Sequence, residues 1–438
     1  MKIYTSNFPM RGSVDGAVVI FVNLVALVLV AAGIAFDSMG IAVGIALGVL
    51  GAYFCAVKPL ECGVTLLIAG PILLSSFRIS SLTADNVAVI FGIVCLAVWG
   101  ASGGSFRFTG TSFLPLLIAV SIVLSGLVNG TPFLQASIRF VSLALLASVL
   151  PAVNTVKILG LLRIVLSVGI VSIISQSFFG FPAPFYDADG SIRYGGLMGH
   201  PNFASYVVGA FIVFALSRKS LNRIDLVISL AGLYAMLLAA SQTALLIVAV
   251  LCFVALVRFP GRLVSASIVA FGVIGVMGST FLVRVAPFIE SKDLASSESG
   301  LWRLNQWQAA LNLVEQPNLF GIGWQQTKVL IGDGLGAHSA YVSAYVELGV
   351  VGSLLVLAGL MLVVKSVYRI LPAAMVWVYF ILCSVTDPVL FYPSCLCVGI
   401  VLTAIALNKD LGNVRISSDL NSNAGGNCRS REDVSTNS

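Results

Sequence analysis

The stretch that decides the fold runs from Ser299 to Gly352 and reads SGLWRLNQWQAALNLVEQPNLFGIGWQQTKVLIGDGLGAHSAYVSAYVELGVVG. As far as His338 it is polar and aromatic, whereas the sequence before Arg284 and after His338 is almost wholly apolar. His338 is also one of only two histidines in the chain. A chain of apolar segments that keeps one long polar segment is typical of a membrane protein that presents a functional site on a loop.

The composition supports this class. Of 438 residues, 58% are hydrophobic and only 10% are charged, whereas soluble domains carry about 25% charged residues. Apolar runs of roughly 17–25 residues recur, which is the length a helix needs to cross hydrocarbon. We therefore predict an all-α polytopic membrane protein with about 12–14 transmembrane helices in a lipid bilayer. The net charge of +6 comes without a basic patch interleaved with aromatic residues, so no nucleic-acid partner is expected.

The predicted spans follow the apolar runs, which are 14–36, 39–57, 60–77, 84–100, 112–129, 132–150, 157–179, 200–217, 224–240, 241–257, 263–283, 339–364, 371–386 and 388–407. The first run is too long for a signal-peptide core and is interpreted as a retained anchor. The tail from 408 to 438 is rich in Asn, Ser and Gly, which predicts disorder.

The distribution of Lys and Arg sets the orientation. Most of the 24 basic residues fall in alternate loops, which the positive-inside rule assigns to the cytoplasm. Both termini are then cytoplasmic, and the two polar loops, 180–199 and 284–338, lie on the opposite side. None of the eight cysteines falls in either loop, so neither a disulfide nor a structural zinc site is expected.

The first external loop leads into a helix start. Arg193 precedes a glycine-rich turn that ends in His200, Pro201 and Asn202. Proline suits the first turn of a helix, and free N–H groups there beside an arginine form an anion site. An ordinary turn with an interfacial arginine is an equally good interpretation.

Polar groups elsewhere in the spans offer further candidates. Ser241 and Gln242 lie in an outer turn between two apolar runs, where a helix cap is the favoured interpretation. Arg139 and Glu347 lie inside spans, where an ionisable group marks either a functional site or a buried pair.

The long loop predicts an amphipathic helix and a polar cleft. Apolar residues recur at helical spacing from Leu301 to Val314, so this helix should rest on the outer leaflet with its tryptophans at headgroup depth. Arg303 lies in its first turns. In the following span, one stripe of a regular helix would hold His338, Tyr341, Tyr345, Gly349 and Gly352, with Glu347 nearly opposite.

The external side thus offers several arginines, one histidine at the start of a span and few carboxylates. This inventory fits an anionic ligand such as a diphosphate. It does not fit a glycosidase, which requires a carboxylate pair, or a metal site, for which the ligands are too few.

The motifs between roughly 190 and 350 resemble the O-antigen ligase and polymerase family. They are the loop from Arg193 to Asn202, the turn Ser241-Gln242-Thr243-Ala244, Arg303 with Trp307 followed by Pro317, Gly321 and Gly323, and His338-Ser339-Ala340-Tyr341 before Glu347. Two positions depart from the family pattern. Gln242 stands where the family commonly has Arg, and Ser339 where it commonly has Asn.

The resemblance implies a bundle of the C-type glycosyltransferase class in a bacterial inner membrane. Such a protein moves a glycan from undecaprenyl diphosphate to a sugar acceptor on the periplasmic side, with inversion and without metal or other cofactor. Its helices would divide into an N-terminal set (1–180) and a catalytic membrane region (181–407) that includes the periplasmic loop 284–338, followed by a cytoplasmic tail (408–438).

The resemblance also implies roles for single residues. Arg193 and Arg303 would hold the diphosphate, and His338 would orient or deprotonate the acceptor hydroxyl, since imidazole exchanges protons near neutral pH. The residues expected to bind substrate are His200, Asn202, Ser241, Gln242, Trp307, Tyr341, Tyr345 and Glu347.

Three activities remain open. A polymerase of O-antigen or exopolysaccharide repeat units is favoured, because Gln242 and Ser339 depart from the ligase pattern. A ligase that transfers glycan to lipid A core or to protein is the first alternative, and a transporter or flippase of lipid-linked sugars is the second. The expected partners are an undecaprenyl-diphosphate-linked oligosaccharide, a sugar acceptor (a lipid-linked glycan or lipid A core) and the bilayer, with a chain-length regulator as a further candidate.

Overall fold

The computed structural model describes residues 57–74, 78–79, 82–181, 183–186, 192–219, 221–258, 298–314, 318–331 and 336–408. The predicted spans 14–36 and 263–283, nearly all of 39–57 and the predicted disordered tail after Asn408 lie outside these residues.

Helices make up most of the described chain. They are α1 (Pro59–Leu73), α2 (Ala84–Ala101), α3 (Gly110–Asn129), α4 (Leu134–Val149), α5 (Thr155–Phe179), α6 (Pro201–Ser217), α7 (Arg223–Ala239), α8 (Gln242–Arg258), α9 (Glu298–Asn312), α10 (Gln326–Leu330), α11 (Ala340–Ser343), α12 (Gly349–Val367), α13 (Leu371–Cys383) and α14 (Pro393–Asn408). A π-helical segment, Ala344–Leu348, joins α11 to α12. Short 3-10 turns occupy Leu150–Ala152, Gly196–Met198 and Val389–Phe391.

Two antiparallel ladders of two residues per strand complete the described elements. In one, β1 (Arg78–Ile79) pairs with β2 (Leu82–Thr83) just before α2. In the other, β3 (Phe185–Tyr186) pairs with β4 (Ile192–Arg193), and Phe185 lies opposite Arg193. These ladders are loop features at the ends of helices and do not form a sheet that could carry a core.

The predicted fold class is confirmed: the protein is an all-α polytopic membrane protein. Among the described residues, five helices are long and apolar enough to cross a membrane: Ala84–Ala101, Gly110–Asn129, Leu134–Ala152, Thr155–Phe179 and Ala340–Val367. Every predicted span within the described residues coincides with a helix. The last one begins at Pro393 instead of 388, because the 3-10 turn Val389–Phe391 precedes it.

The helices pack closely because small residues lie at their contacts. The helix α12 packs along α3, and α1 packs along α2. A Cβ atom added to Gly359 of α12 would lie 2.9 Å from the Cα of Leu114 in α3, and one on Gly63 of α1 would lie 2.9 Å from Leu96 in α2. In hydrocarbon, where the hydrophobic effect does not drive helices together, such close backbone approach is what holds them.

The alternation of helices brings distant loops to one end of the bundle. The loop between α5 and α6 lies against the turn between α7 and α8, where the N–H of Tyr194 donates to the carbonyl of Leu238 at 3.4 Å. At the start of α11, the N–H of Ala340 donates to the carbonyl of Ser384 at the end of α13, at 2.9 Å. The fold therefore places the α5–α6 loop next to the α7–α8 turn, and the start of α11 next to the end of α13.

Candidate functional site

The glycine-rich loop that carries Arg193 is fixed by a polar side chain of α5. The Oε1 of Gln176 accepts the backbone N–H groups of Gly195 at 3.0 Å and Gly196 at 2.7 Å. Gly196 has a φ of 57°, which favours glycine, and a Cβ on Gly195 would collide with the carbonyl of Gly199. The glycines thus allow the loop to fold back on the helix end, and the buried amide holds it there.

Arg193 is held in two directions. Its Nε donates to the carbonyl of Ala239 at 2.9 Å, and its Nη2 donates to the Oδ1 of Asn202. Asn202 is buried in the first turn of α6. Arg193 and Asn202 were predicted to act at one site, and the structure brings them together, with the guanidinium oriented by protein groups.

His200 caps helix α6. Its Nδ1 accepts the N–H of Asn202 at 3.2 Å, and its ring packs against Phe185 and Phe203 at centroid distances of 4.7 and 5.0 Å. Pro201 occupies the first turn, as the sequence predicts. One of the N–H groups that the prediction offered to an anion is therefore occupied by the imidazole. The geometry gives His200 a capping role.

Asp387 lies at the centre of the site and is almost fully buried, with 2% of its side chain exposed. Its Oδ2 accepts the phenol O–H of Tyr206 and the amide of Asn202, the latter at 3.4 Å. Its Oδ1 lies 3.3 Å from the Nδ1 of His338. One carboxylate therefore connects the loop that carries Arg193 with the segment that carries His338.

His338 precedes the helix that it was predicted to begin. Its φ is 47°, and Ser339 caps α11 by accepting the N–H of Val342 on its side-chain oxygen at 3.5 Å. While Nδ1 faces Asp387, the Nε2 atom is buried and has no hydrogen-bond partner among the residues that the structure describes. One nitrogen of the imidazole is thus held by Asp387, and the other makes no hydrogen bond within the described residues.

Helix α9 packs against His338 through its tryptophans. The ring of Trp302 lies edge-to-face with the imidazole at 4.7 Å, and the Nε1 of Trp307 donates to the His338 carbonyl at 3.3 Å. Leu301 and Leu304 are instead about half exposed. The periodicity predicted the helix, and the contact of its apolar face with the outer leaflet stays a prediction.

The same helix places further polar atoms in buried positions. Within the described chain, the Nε of Arg303 and the Oε1 of Gln306 are buried without a hydrogen-bond partner. Buried polar atoms are almost always paired, so these two atoms are exceptional within the site. Together with the Nε2 of His338, these atoms give the site unused hydrogen-bonding capacity.

The predicted stripe from His338 through Tyr341 and Tyr345 to Gly349 and Gly352 is wrong. The helix starts only after Ser339, the π-helical segment Ala344–Leu348 changes the phase, and Gly349 has a φ of 74° that interrupts the helical path. The Tyr341 hydroxyl donates to the Ile381 carbonyl at 2.9 Å at an exposed position. Tyr345 packs with the apolar residues Ala310, Ala337 and Val346.

Glu347 is buried and binds a neighbouring loop. Its carboxylate accepts the N–H of Gln325 at 3.0 Å and the hydroxyl of Thr327. Its backbone carbonyl accepts the Ser125 hydroxyl at 2.7 Å and the Gly323 N–H at 3.1 Å. The carboxylate also lines a cavity of about 390 Å³.

Arg139 lies on the wall of the same cavity and forms an ion pair. Its Nη2 lies 2.8 Å from the Oδ2 of Asp85, and its Nε donates to the Oδ1 of Asn86 at 2.7 Å. The structure therefore shows the predicted ion pair, in which Asp85 is buried and 26% of the Arg139 side chain is exposed.

The turn between α7 and α8 places the last two predicted residues. Ser241 is buried, and its carbonyl accepts the Leu245 N–H at 3.0 Å in the first turn of α8. Gln242 is exposed. The turn contributes to the site through the carbonyl of Ala239, which accepts the hydrogen bond from the Nε of Arg193.

The arrangement is suited to proton transfer beside an anion. An imidazole that is oriented by a buried carboxylate at Nδ1 can accept a proton at Nε2. Arginines near it can stabilise negative charge that develops on a leaving group. No group of three or more His, Cys, Asp or Glu side chains capable of holding a metal occurs in the described part of the chain.

Sequence reasoning missed the central role of Asp387 and the contacts of Tyr206 and Trp302. A signal existed for Asp387: it precedes Pro388 at the boundary of a span, on the side that the charge distribution assigns to His338. The contacts of Tyr206 and Trp302 have no counterpart in local periodicity.

Comparison with known proteins identifies one family. Residues 227–357 match the family model described as O-antigen ligase. This region includes Ser241, Arg303 and His338, whereas Arg193 and Asp387 lie outside it. No curated protein matches the chain.

Proposed function

Residues 227–357 match the O-antigen ligase family model, and from that match we propose that the chain polymerises O-antigen or exopolysaccharide repeat units. In this proposal, the growing glycan leaves undecaprenyl diphosphate and joins a sugar hydroxyl of another lipid-linked unit. The reaction takes place at the periplasmic face of a bacterial inner membrane, and it inverts the anomeric centre.

The observation that carries the proposal is the state of His338. Its Nδ1 lies 3.3 Å from buried Asp387, and its Nε2 is buried without a partner among the described residues. A carboxylate at Nδ1 favours the tautomer in which the proton lies on Nδ1 and the lone pair on Nε2. An acceptor hydroxyl that binds at Nε2 would meet a base of the right protonation state.

The proposed step balances as follows. The acceptor O–H gives its proton to Nε2 of His338, and the oxygen attacks the anomeric carbon from the face opposite the diphosphate. The bond between that carbon and the diphosphate oxygen breaks, and its electron pair leaves with the diphosphate. In-line attack of this kind inverts the configuration at the anomeric carbon.

The two arginines are proposed to stabilise the leaving diphosphate. Arg303 has a buried Nε without a partner in the described chain, and its neighbour Trp302 contacts the His338 ring. Arg193 is oriented by Asn202, which also contacts Asp387. Charge-assisted hydrogen bonds to phosphate oxygens strengthen as negative charge develops on the leaving group, and this lowers the barrier.

A ligase is the second candidate, because the matching family model is described as O-antigen ligase. In that case the same donor and the same base would serve a lipid A core acceptor. We favour the polymerase because Gln242 and Ser339 depart from the family pattern in the motifs that flank the reacting groups.

The test uses purified full-length protein in bilayers that contain synthetic undecaprenyl-diphosphate repeat units. We expect higher oligomers from the wild type and none from His338→Ala, which should still bind the lipid-linked donor through the arginines. His338→Gln should retain a small activity if hydrogen bonding to the hydroxyl contributes. Oligomers from His338→Ala at the wild-type rate would overturn the proposal. Product that forms only when lipid A core is added would identify the ligase.

A further inference from the structure

The cavity of about 390 Å³ is a second polar region, and it lies beside the proposed catalytic site. This volume falls within the roughly 300–1,000 Å³ that is usual for small-molecule pockets. The described residues on its wall come from several parts of the chain and include Arg139, Lys328 and Glu347. None of the steps proposed above uses this cavity.

One part of the wall is aromatic. Trp324 lies edge-to-face with Phe391 at 5.2 Å, and Phe203 lies against Tyr392 at 3.8 Å between ring centroids. Trp324 is 8% exposed, and its indole Nε1 has no hydrogen-bond partner within the described residues. A buried indole N–H usually has one. The wall therefore combines apolar ring faces with an unused donor.

The charged groups on the wall compensate each other. Arg139 is paired with Asp85, while the carboxylate of Glu347 accepts two hydrogen bonds from the loop that carries Gln325 and Thr327. Lys328 and the side chain of Gln325 are exposed. A cavity with balanced charge, several polar groups and aromatic walls suits an uncharged ligand with many hydroxyls better than it suits a diphosphate.

The cavity adjoins the reacting groups through the backbone. Ala337 and Pro388 line it, and their chain neighbours are His338 and Asp387, the pair that carries the proposed chemistry. Phe203, also on the wall, follows Asn202 in the sequence. A ligand in the cavity would thus lie beside the backbone that carries His338 and Asp387, whereas Arg303, which lies on α9, does not line the cavity.

From this arrangement we propose that the cavity is a saccharide subsite that binds the sugar whose hydroxyl accepts the glycan. The inference rests on the proposed glycan transfer. The ring faces of a sugar present C–H groups that pack on Trp324 and Phe391. Its hydroxyls hydrogen-bond with Lys328, Gln325 and the indole N–H of Trp324. Binding there fixes which hydroxyl reaches His338, so the cavity determines the specificity for the acceptor.

The first test is direct binding to full-length protein. The probe is the oligosaccharide that mild acid releases from the synthetic lipid-linked repeat unit, because it keeps the acceptor end but lacks the diphosphate. We expect calorimetry to detect binding to the wild type. We also expect the Kd to rise about tenfold in Lys328→Ala and in Gln325→Gly, as the loss of one hydrogen bond to the ligand predicts.

Both substitutions spare the structure. Lys328 is exposed, and glycine accepts the φ of 60° that Gln325 adopts while it keeps the N–H that binds Glu347. Val329→Ala is the matched control, because Val329 lies on the same short helix, is 68% exposed and does not line the cavity. Its Kd should equal that of the wild type. An unchanged Kd in both cavity variants, or no binding to the wild type, would overturn the inference.

The second test distinguishes the acceptor from the donor. The released oligosaccharide cannot act as a donor, so it serves as a soluble acceptor at saturating lipid-linked donor. Lys328→Ala should raise the KM for the soluble acceptor about tenfold and leave kcat within about threefold. A raised KM for the donor with an unchanged KM for the acceptor would overturn the assignment to the acceptor.

The two tests also separate this inference from the proposed function. If purified protein transfers no glycan but the cavity variants bind the oligosaccharide about tenfold more weakly, glycan transfer is refuted and the saccharide subsite stands. If transfer occurs and both variants match the wild type in binding and in KM, the subsite is refuted and glycan transfer stands.

Discussion

Two buried carboxylates lie at opposite ends of the helix bundle, and their surroundings differ. Asp225, with 1% of its side chain exposed, lies between two guanidinium groups, at 2.8 Å from the Nε of Arg163 and 3.0 Å from the Nη1 of Arg218. Asp387 is as deeply buried, but its partners are the phenol of Tyr206, an amide and the imidazole of His338.

The difference shows that the partners of a buried charge are more informative than its burial. The two permanent cations around Asp225 more than compensate its charge, and the group ties α5, α6 and α7 together. Asp387 faces no permanent cation among its described partners, and one of those partners, His338, can gain and lose a proton. The first arrangement stabilises the fold, whereas in the proposed mechanism the second orients a base.

The largest effect is expected on activity from Asp387→Asn. An amide can donate to Nδ1 and so favour the wrong tautomer, which leaves Nε2 protonated and unable to accept a proton. We expect the rate of transfer to fall about 10³-fold, with little change in the amount of folded protein. A rate within about threefold of the wild type would show that Asp387 is only structural.

The matching change at the other end, Asp225→Asn, should affect stability instead. It leaves two largely buried arginines without their carboxylate, and breaking a buried pair in this way costs about 3 kcal/mol. Thermal unfolding followed by size-exclusion chromatography should show a lower midpoint. The transfer rate per folded molecule should stay at the wild-type level, and a fall in that rate would remove the contrast between the two ends.

Arg303→Ala tests the role of a positive charge in the proposed reaction. Asp387 has no permanent cation among its described partners, so the proposal assigns this role to Arg303. If the guanidinium stabilises the leaving diphosphate, kcat should fall about 10²-fold, and Arg303→Lys should recover only part of it because a point charge lacks the planar fork. Gln308→Ala is the control, since Gln308 lies exposed on the same helix. Equal rates for Arg303→Ala and Gln308→Ala would exclude Arg303 from the reaction.

The smallest effect is expected from Tyr341→Phe. The lost hydroxyl bonds to the Ile381 carbonyl at an exposed position, where a hydrogen bond contributes little. The transfer rate should change less than about twofold. A fall of about tenfold or more would support the prediction that a sugar cleft runs along the helix that follows His338.

The spans could be predicted from the sequence because the bilayer fixes the length of a helix and its apolar character. The same reasoning located His338 and Arg193 at one end of the bundle, since loops alternate between the two sides. Asp387 was not predicted as their partner because it lies 49 positions after His338. No local pattern specifies a contact over that separation.

The interior of the site escaped prediction for a related reason. Periodicity assumes a regular helix, but the π-helical segment Ala344–Leu348 and the positive φ of Gly349 redirect the chain after Tyr341. Glu347 thereby reaches the loop of Gln325 and Thr327 and the wall of the cavity. A departure of this kind depends on tertiary contacts and leaves no mark in the apolar pattern.

The central claim is that His338 and Asp387 act as one unit in glycan transfer, and a double-mutant cycle tests it most directly. Transfer rates of purified wild type, His338→Ala, Asp387→Asn and the double variant would be measured with the same lipid-linked substrate. We predict that the double variant falls within about threefold of His338→Ala, because Asp387 has no base left to orient. A double variant whose loss equals the product of the two single losses would contradict the claim.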